Sequence, residues 1–272
     1  AGDTSPVGQP GEVTPRWMAR GLRAASGDPR VRGMVLRINS PGGSALASDE
    51  ILHEADLAAS RKPLVVSMVN AAASGGYYAA TSAQRIFAMP ATATGSIGIY
   101  GGKADFSGLH QKLALGKELY TRGKFAGMMT TMRPFTEEER QKYLGHLKAF
   151  YGRFVDLVSR NRRISSDSAD ALGQGRAWTG REAVANGLAD EAGGLKQALD
   201  YLARSQRLDD YAVEIFPMKR PLFIWPTPNL TSFVARAIGL QPEGLEIDDI
   251  GRALRIADDP LIARLPYDII VE

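Results

Sequence analysis

Cysteine is absent from the 272-residue sequence. That removes disulfides, thiolate metal sites and a cysteine nucleophile, and leaves the redox compartment open. An excess of one charge is missing as well: 33 basic side chains stand against 30 acidic ones, and no long basic run occurs. A net charge of +3 so evenly spread gives no nucleic-acid footprint, and no nucleic-acid partner is expected. No apolar run reaches the ~18 residues of a membrane span and the first residues carry no signal-sequence pattern, so the chain reads as soluble. Three scattered histidines, His53, His110 and His146, do not suggest a metal site, and no cofactor is expected. What is present, 44% apolar and 23% charged residues, describes a folded protein with one sizeable domain, or a domain and an appendage.

Strand and helix patterns alternate along most of the chain. Residues 1–11 are rich in turn formers and lack an initiating methionine, as in a loop inside a longer protein. Val13 to Ala25 reads as an amphipathic helix and Val31 to Ile38 as a strand ending in a turn at Asn39 to Ser44. Ser44 caps a helix to about Ser60, and Leu64 to Val69 is the next strand, which completes a βαβ unit. Further strands are expected at Arg85 to Met89, Ala93 to Tyr100 and Lys117 to Thr121, with a helix from Phe106 to Leu115. Thr136 to Glu139 is a capping box opening a long helix to about Arg163, whose Tyr143, Leu147, Phe150, Phe154 and Leu157 form a core or interface stripe. Thr179 to Glu182 caps another helix that stops at Gly187, and Leu195 to Arg204 forms one more. Beyond about Tyr211 prolines break an apolar stretch, with a helix expected from Asp249 to Ala257 and a last strand from Tyr267 to Val271. The expected domains are therefore 1–210, an α/β domain with a mostly parallel sheet and flanking helices, and 211–272, a C-terminal extension.

The apolar run from Leu64 ends at Ser74, which is followed by Gly75 and Gly76. A strand turning sharply into a helix there would lift the serine hydroxyl into a cleft, beside helix amides able to stabilise negative charge on a carbonyl oxygen. A tight turn with a capping serine explains the same residues about equally well. Both glycine turns lie at the ends of neighbouring parallel strands, where open α/β sheets place their ligands, although Ser40 to Gly43 taken alone reads better as an ordinary turn. Gly42 and Gly75 would each present an amide, with the Ser74 hydroxyl between them, as acyl transfer requires.

Four motifs, Asn39 to Ser44, Ala72 to Tyr78, Thr94 to Gly98 and Trp178 to Leu188, resemble signal peptide peptidase A, also called protease IV. The likeness runs from about residue 20 to 204 and fails in the tail. It implies a fold like ClpP and the crotonases, and membership of a group of membrane-associated serine peptidases of the bacterial cell envelope. These degrade signal peptides and other short apolar segments. By motif match, Ser74 would be the nucleophile and Gly42 and Gly75 the oxyanion amides. The resemblance also implies a lysine general base, and here the sequence departs. The matching stretch, Gly123 to Ala126 before Pro134 and Phe135, has Ala126 at the lysine position. Lys124, two residues earlier, would be displaced by roughly 6.6 Å in an extended segment, whereas proton transfer needs contact within about 3 Å.

In double-length relatives the serine comes from the C-terminal half and the lysine from the N-terminal half. The chain is thus expected to be the C-terminal half of a longer enzyme, its lysine supplied by an N-terminal half or a neighbouring subunit. A Lys→Ala change at Ala126 is the competing account. The resemblance further implies a homo-oligomeric ring, and Pro221 to Pro226 is expected to act as a docking arm, as a peripheral membrane contact through Phe223 and Trp225, or as packing on its own domain. Two other functions are weighed against a peptidase: a crotonase-like acyl-CoA enzyme, which leaves the serine unexplained, and a non-catalytic scaffold half.

Overall fold

The computed structural model describes residues 13–216 and the strand at 262–264. Among these, residues 13–100, 143–216 and 262–264 form one compact unit and residues 101–142 a second.

In the first unit, α1 (Pro15–Gly27) starts where Thr14 accepts the Trp17 amide and Pro15 occupies the first helical position, where its missing N–H costs nothing. β1 (Met34–Ser40) runs into the short β2 (Gly42–Ser44), then Ser44 caps α2 (Ala45–Ala59) by accepting the Ala47 amide. β3 (Leu64–Ala73) follows, and Ser74 turns it into α3 (Gly75–Ala80). Next come β4 (Arg85–Ala88) and β5 (Ala93–Gly95).

β3 is the centre of a six-stranded sheet. One of its edges pairs in parallel with β1, from Met34↔Leu64 to Ser40↔Ala72. The other is shared, Val65 to Met68 pairing with β4 and Ala71 to Ala73 with β5, both in parallel. Thr94 and Asn39 tie this second half of β3 down through the Ala72 carbonyl and the Ala71 amide. Leu64, Val65, Val66 and Met68 are at most 1% exposed, each contributing about 1.5–3 kcal/mol of apolar burial.

The remaining strands close the sheet. β6 (Ala177–Thr179) runs antiparallel on β5, and β7 (Glu191–Ala192) parallel on β4. Helices cover both faces. Val65 and Phe87 pack against Ala198 and Leu202 of α8 (Leu195–Ser205), while Leu36, Val66, Met68 and Ile86 join α1, α2, α3 and the long α5 (Glu137–Arg162) in the main core. The α5 stripe is core: Phe154 and Tyr143 are buried, and Phe150 and Leu157 pack against the cluster. Two helices complete the set, α6 (Ser166–Leu172) and α7 (Gly180–Ala185), the latter opened by the expected Thr179/Glu182 capping box. α6 is too short and polar for its apolar spacing to register in the sequence.

In the second unit, α4 spans Ser107–Lys112, shorter than expected, and residues 117–121 form no strand. Leu119 and Tyr120 lie exposed there, and among the described residues no strand pairs with this segment. Likewise Ala93 to Tyr100 is a strand only to Gly95, because the positive φ of Gly95 and Ser96 turns the chain out of the sheet. The helix and strand expected at 249–257 and 267–271, and the segment Pro221 to Pro226, lie outside the described residues. None of the described helices is long and apolar enough to cross a membrane.

Candidate active site

Ser74 follows the last residue of β3 in a backbone conformation, φ 51° and ψ −115°, that a non-glycine residue rarely adopts. Its neighbours hold it there. Its amide donates to the Gly95 carbonyl at 2.8 Å, its carbonyl accepts the Tyr78 amide at 2.8 Å, and the Gly76 α-carbon is pressed so close to β1 that a Cβ would meet the Ser40 carbonyl oxygen at 2.9 Å. Two tyrosines anchor the short α3 behind it. The Tyr77 hydroxyl donates to the Leu188 carbonyl and that of Tyr78 to Asp49, at 2.8 and 2.7 Å, and burial pushes both phenols well above their ordinary range. Tyr78 also packs edge-on against Phe154, centroids 4.8 Å apart. The elbow is therefore rigid, and the Ser74 hydroxyl at its tip is fully buried without a hydrogen-bond partner. In native structures such an orphan is uncommon and calls for a reason.

A second orphan lies beside it. Ala73 and Gly95 are matched across β3 and β5, so Ser74 and Ser96 leave the sheet side by side. Ser96 also has a positive φ, 49°, and shares the complete burial and the unpartnered hydroxyl. Sequence reading missed it. The signal available was the run Thr94-Gly-Ser-Ile-Gly98, two glycines bracketing a small polar residue inside a motif whose pattern reads as strand.

Gly42 and Gly75 lie on either side of the elbow. Ser40 is matched with Ala72, so β2 begins level with the elbow, and Gly42, at φ 115°, takes a conformation that favours glycine. Its amide donates to the Ser40 hydroxyl at 3.2 Å. Gly75 is the first residue of α3, where no preceding turn offers a carbonyl to its amide.

Lys124 belongs to the second unit. Its ammonium lies 3.1 Å from a carboxylate oxygen of Glu138 and its side chain is 65% exposed. Residues 123–130 form successive turns, with Ala126, Met128 and Thr130 donating to the carbonyls three residues before them. The extended spacing between Lys124 and Ala126 therefore does not hold. Ala126 is exposed. The lysine whose ammonium burial pulls downward is instead Lys103, which donates to the Met128 carbonyl at 2.9 Å and sits over the Phe135 ring. Of the histidines, His110 contacts Lys117, His146 is exposed, and His53 lines a cleft of about 760 Å³ between α1 and α2 with Arg16, Arg20, Arg23 and Glu54. That cleft contains none of the elbow residues, and among the described residues no cluster of three or more potential ligands is placed to hold a metal ion.

A strained serine between two glycine turns, at the carboxyl ends of parallel strands, has a geometry compatible with acyl transfer. Residues 56–209 match peptidase family S49, and the chain belongs to that family. Among curated proteins it is 36% identical over 196 residues to "Serine protease SPPA, chloroplastic" of Arabidopsis thaliana, covering 71% of this chain and 29% of that protein. It is 36% identical to "Putative signal peptide peptidase SppA" of Enterococcus faecium (71% and 56% covered) and 37% identical to "Protease 4" of Salmonella typhi (76% and 34%). The matched part of the chain thus spans between 29% and 56% of these relatives' lengths. A ClpP1 mutant from Listeria monocytogenes superposes with a TM-score of 0.47 at 15% identity, over 68% of this chain and 86% of that one.

Proposed function

We propose that this chain carries the nucleophile of a serine peptidase that cleaves short apolar peptide segments, signal peptides among them. The observation that carries the reading is the buried, strained and unpartnered hydroxyl of Ser74. Membership of family S49 supports the peptidase class, and similarity to the putative signal peptide peptidase of Enterococcus faecium supports the substrate. In this reading Ser74 Oγ bonds to the substrate carbonyl carbon while its proton passes to a neutral lysine amine. The carbonyl oxygen, now negative, accepts the amides of Gly42 and Gly75, the Ser40 hydroxyl giving up the former. Collapse breaks the carbon–nitrogen bond, the lysine returns the proton to the leaving amine, and water then hydrolyses the ester by the same route. Ser96, side by side with Ser74, is suited to hold the incoming amine by accepting one of its hydrogens.

The lysine is supplied by an N-terminal half or a neighbouring subunit, in an oligomer associated with the envelope membrane. Ala126 at the family position and the Glu138 pairing of Lys124 support an outside source. Residues 1–210 are the peptidase domain in this reading and 211–272 an extension. The test is to treat the complete enzyme with a fluorophosphonate and map the adduct. Labelling at Ser74 and loss of peptidase activity in Ser74→Ala are expected. Unchanged activity in that variant would leave the chain a scaffold half, and loss in Lys124→Ala would move the base onto this chain.

A further inference from the structure

A strained backbone such as that of Ser74 persists only where its surroundings over-determine it. Most of the restraints on the elbow come from close by, in β1, β5 and α2. The Tyr77 hydroxyl reaches further, because its acceptor is the Leu188 carbonyl on the loop between α7 and β7. Tyr77 and Leu188 are both 0% exposed, so water cannot replace that bond. The carbonyl holds Tyr77 in place only if its loop is itself fixed.

Arg162, the last residue of α5, fixes the loop on both sides of Leu188. Its Nε donates to the Gly187 carbonyl at 2.9 Å, and its two terminal nitrogens donate to the Asp190 carboxylate at 2.9 and 2.8 Å. Asp190 is tied in turn to β4, accepting the Ile86 amide at 2.7 Å while its own amide donates to the Ile86 carbonyl at 2.9 Å. Asn186 closes the start of the loop by accepting the Leu188 amide at 3.2 Å. The Arg162 side chain is 8% exposed and that of Asp190 25%. Taking two charges so far out of water costs about as much as their attraction returns, and apolar residues of similar size would serve the core as well. Stability alone therefore does not account for an ion pair at this place. What a planar guanidinium does that an apolar side chain cannot is set the direction of three acceptor oxygens at once. The carbonyl that lies between those acceptors along the chain is the one Tyr77 uses.

We propose that Arg162 and Asp190 are positioning residues for the nucleophile: through the Leu188 carbonyl and the Tyr77 hydroxyl, the pair sets the angle at which α3 leaves Ser74. The inference rests on the reading of Ser74 as nucleophile, and the experiment separates the two ideas. Arg162→Met with Asp190→Asn removes both charges together, nearly conserves volume and leaves an acceptor for the Ile86 amide. Tyr77→Phe removes only the link between the loop and the elbow.

In the complete enzyme, each change should slow fluorophosphonate labelling of Ser74 and lower kcat on a short apolar peptide by about tenfold or more, with KM within about twofold of the parent's. The urea midpoint of the Arg162/Asp190 variant should stay close to the parent's, which sets lost positioning apart from lost stability. Because the pair acts through Tyr77, all three substitutions together should label no more slowly than the slower of the two sets, whereas independent effects would multiply. If the charge-free variant does not fold, Arg162→Lys, which keeps the charge and gives up the fork, takes its place in the comparison. Multiplied effects, or labelling of Tyr77→Phe at the parent rate, overturn the positioning role while leaving the nucleophile standing. A parent enzyme that takes no label on Ser74 overturns both.

Discussion

Replacing Ser74 should make the protein more stable. Two penalties meet at this residue: a hydroxyl buried without a partner, and a non-glycine backbone at φ 51°. An unsatisfied buried hydroxyl costs about 1–3 kcal/mol, and a residue held in a sparsely populated backbone region about 1–3 kcal/mol more. Ser74→Ala removes the first and keeps the second, for an expected gain of about 1–2 kcal/mol. For a folded region of this size that is a rise of about 2–4 °C in Tm per kcal/mol. Ser74→Gly removes both but adds about 0.5–1 kcal/mol of unfolded-state freedom, so it should lie level with or above the alanine variant. Urea unfolding followed by circular dichroism, with the slope checked for constancy, measures the difference. A loss of more than about 1 kcal/mol in Ser74→Ala would mean that the hydroxyl makes a stabilising bond after all, and the argument that the site stores strain for chemistry would fall with it.

Gly76→Ala drives a Cβ to 2.9 Å from the Ser40 carbonyl oxygen and should cost about 1–3 kcal/mol by forcing the elbow away from β1; an unchanged urea midpoint would contradict the close approach. Arg162→Ala leaves Asp190, itself held by the Ile86 amide, without its bidentate cation, and should cost about 3 kcal/mol in the same assay. Acid should loosen the 101–142 unit through Glu139, whose carboxyl is held down to about 2 by its hydrogen bonds from Arg133 and the Thr136 amide. Because the folded value is depressed, that stabilisation is complete above the ordinary carboxylate range and is lost as pH falls toward 2. Glu139→Gln should flatten this dependence in amide hydrogen exchange of residues 130–140, and a profile identical to the parent would count against the role given to Glu139.

How much of this the sequence disclosed depends on where the restraint lies. β3 and the elbow were legible because local chemistry dictates them: an apolar run, three alanines and two glycines leave few alternatives around Ser74. The α5 cap was legible for the same reason, Thr136 and Glu139 satisfying each other's backbone amides within one turn. β6 and β7 were not, since strands of three and two residues owe their existence to β5 and β4 beside them rather than to their own composition. Lys117 to Thr121 failed in the opposite sense: an alternating pattern is only half a strand until another backbone pairs with it. Ser96 shows the limit for a candidate site residue, because its interest comes from standing beside Ser74 across a strand pair, a relation invisible along the chain.

The resting state around the elbow is poised rather than assembled. Gly42's amide is engaged by Ser40 across only one residue, through a 3.2 Å contact that a carbonyl oxygen bearing developing charge would readily outcompete, since hydrogen bonds to ionised acceptors are roughly twice as strong. Ser74 and Ser96 have no such placeholder and bear the desolvation of their hydroxyls outright. A neutral amine entering between them would relieve both at once, accepting from Ser74 and donating to Ser96. Under the proposed mechanism, two unsatisfied hydroxyls of this chain would contribute to the free energy for bringing in a lysine. If so, the lysine-bearing partner should bind Ser74→Ala more weakly than the parent even though the variant is itself the more stable protein. That inversion, measured as a fall in partner affinity beside a rise in urea midpoint, is one that damage to the fold could not produce.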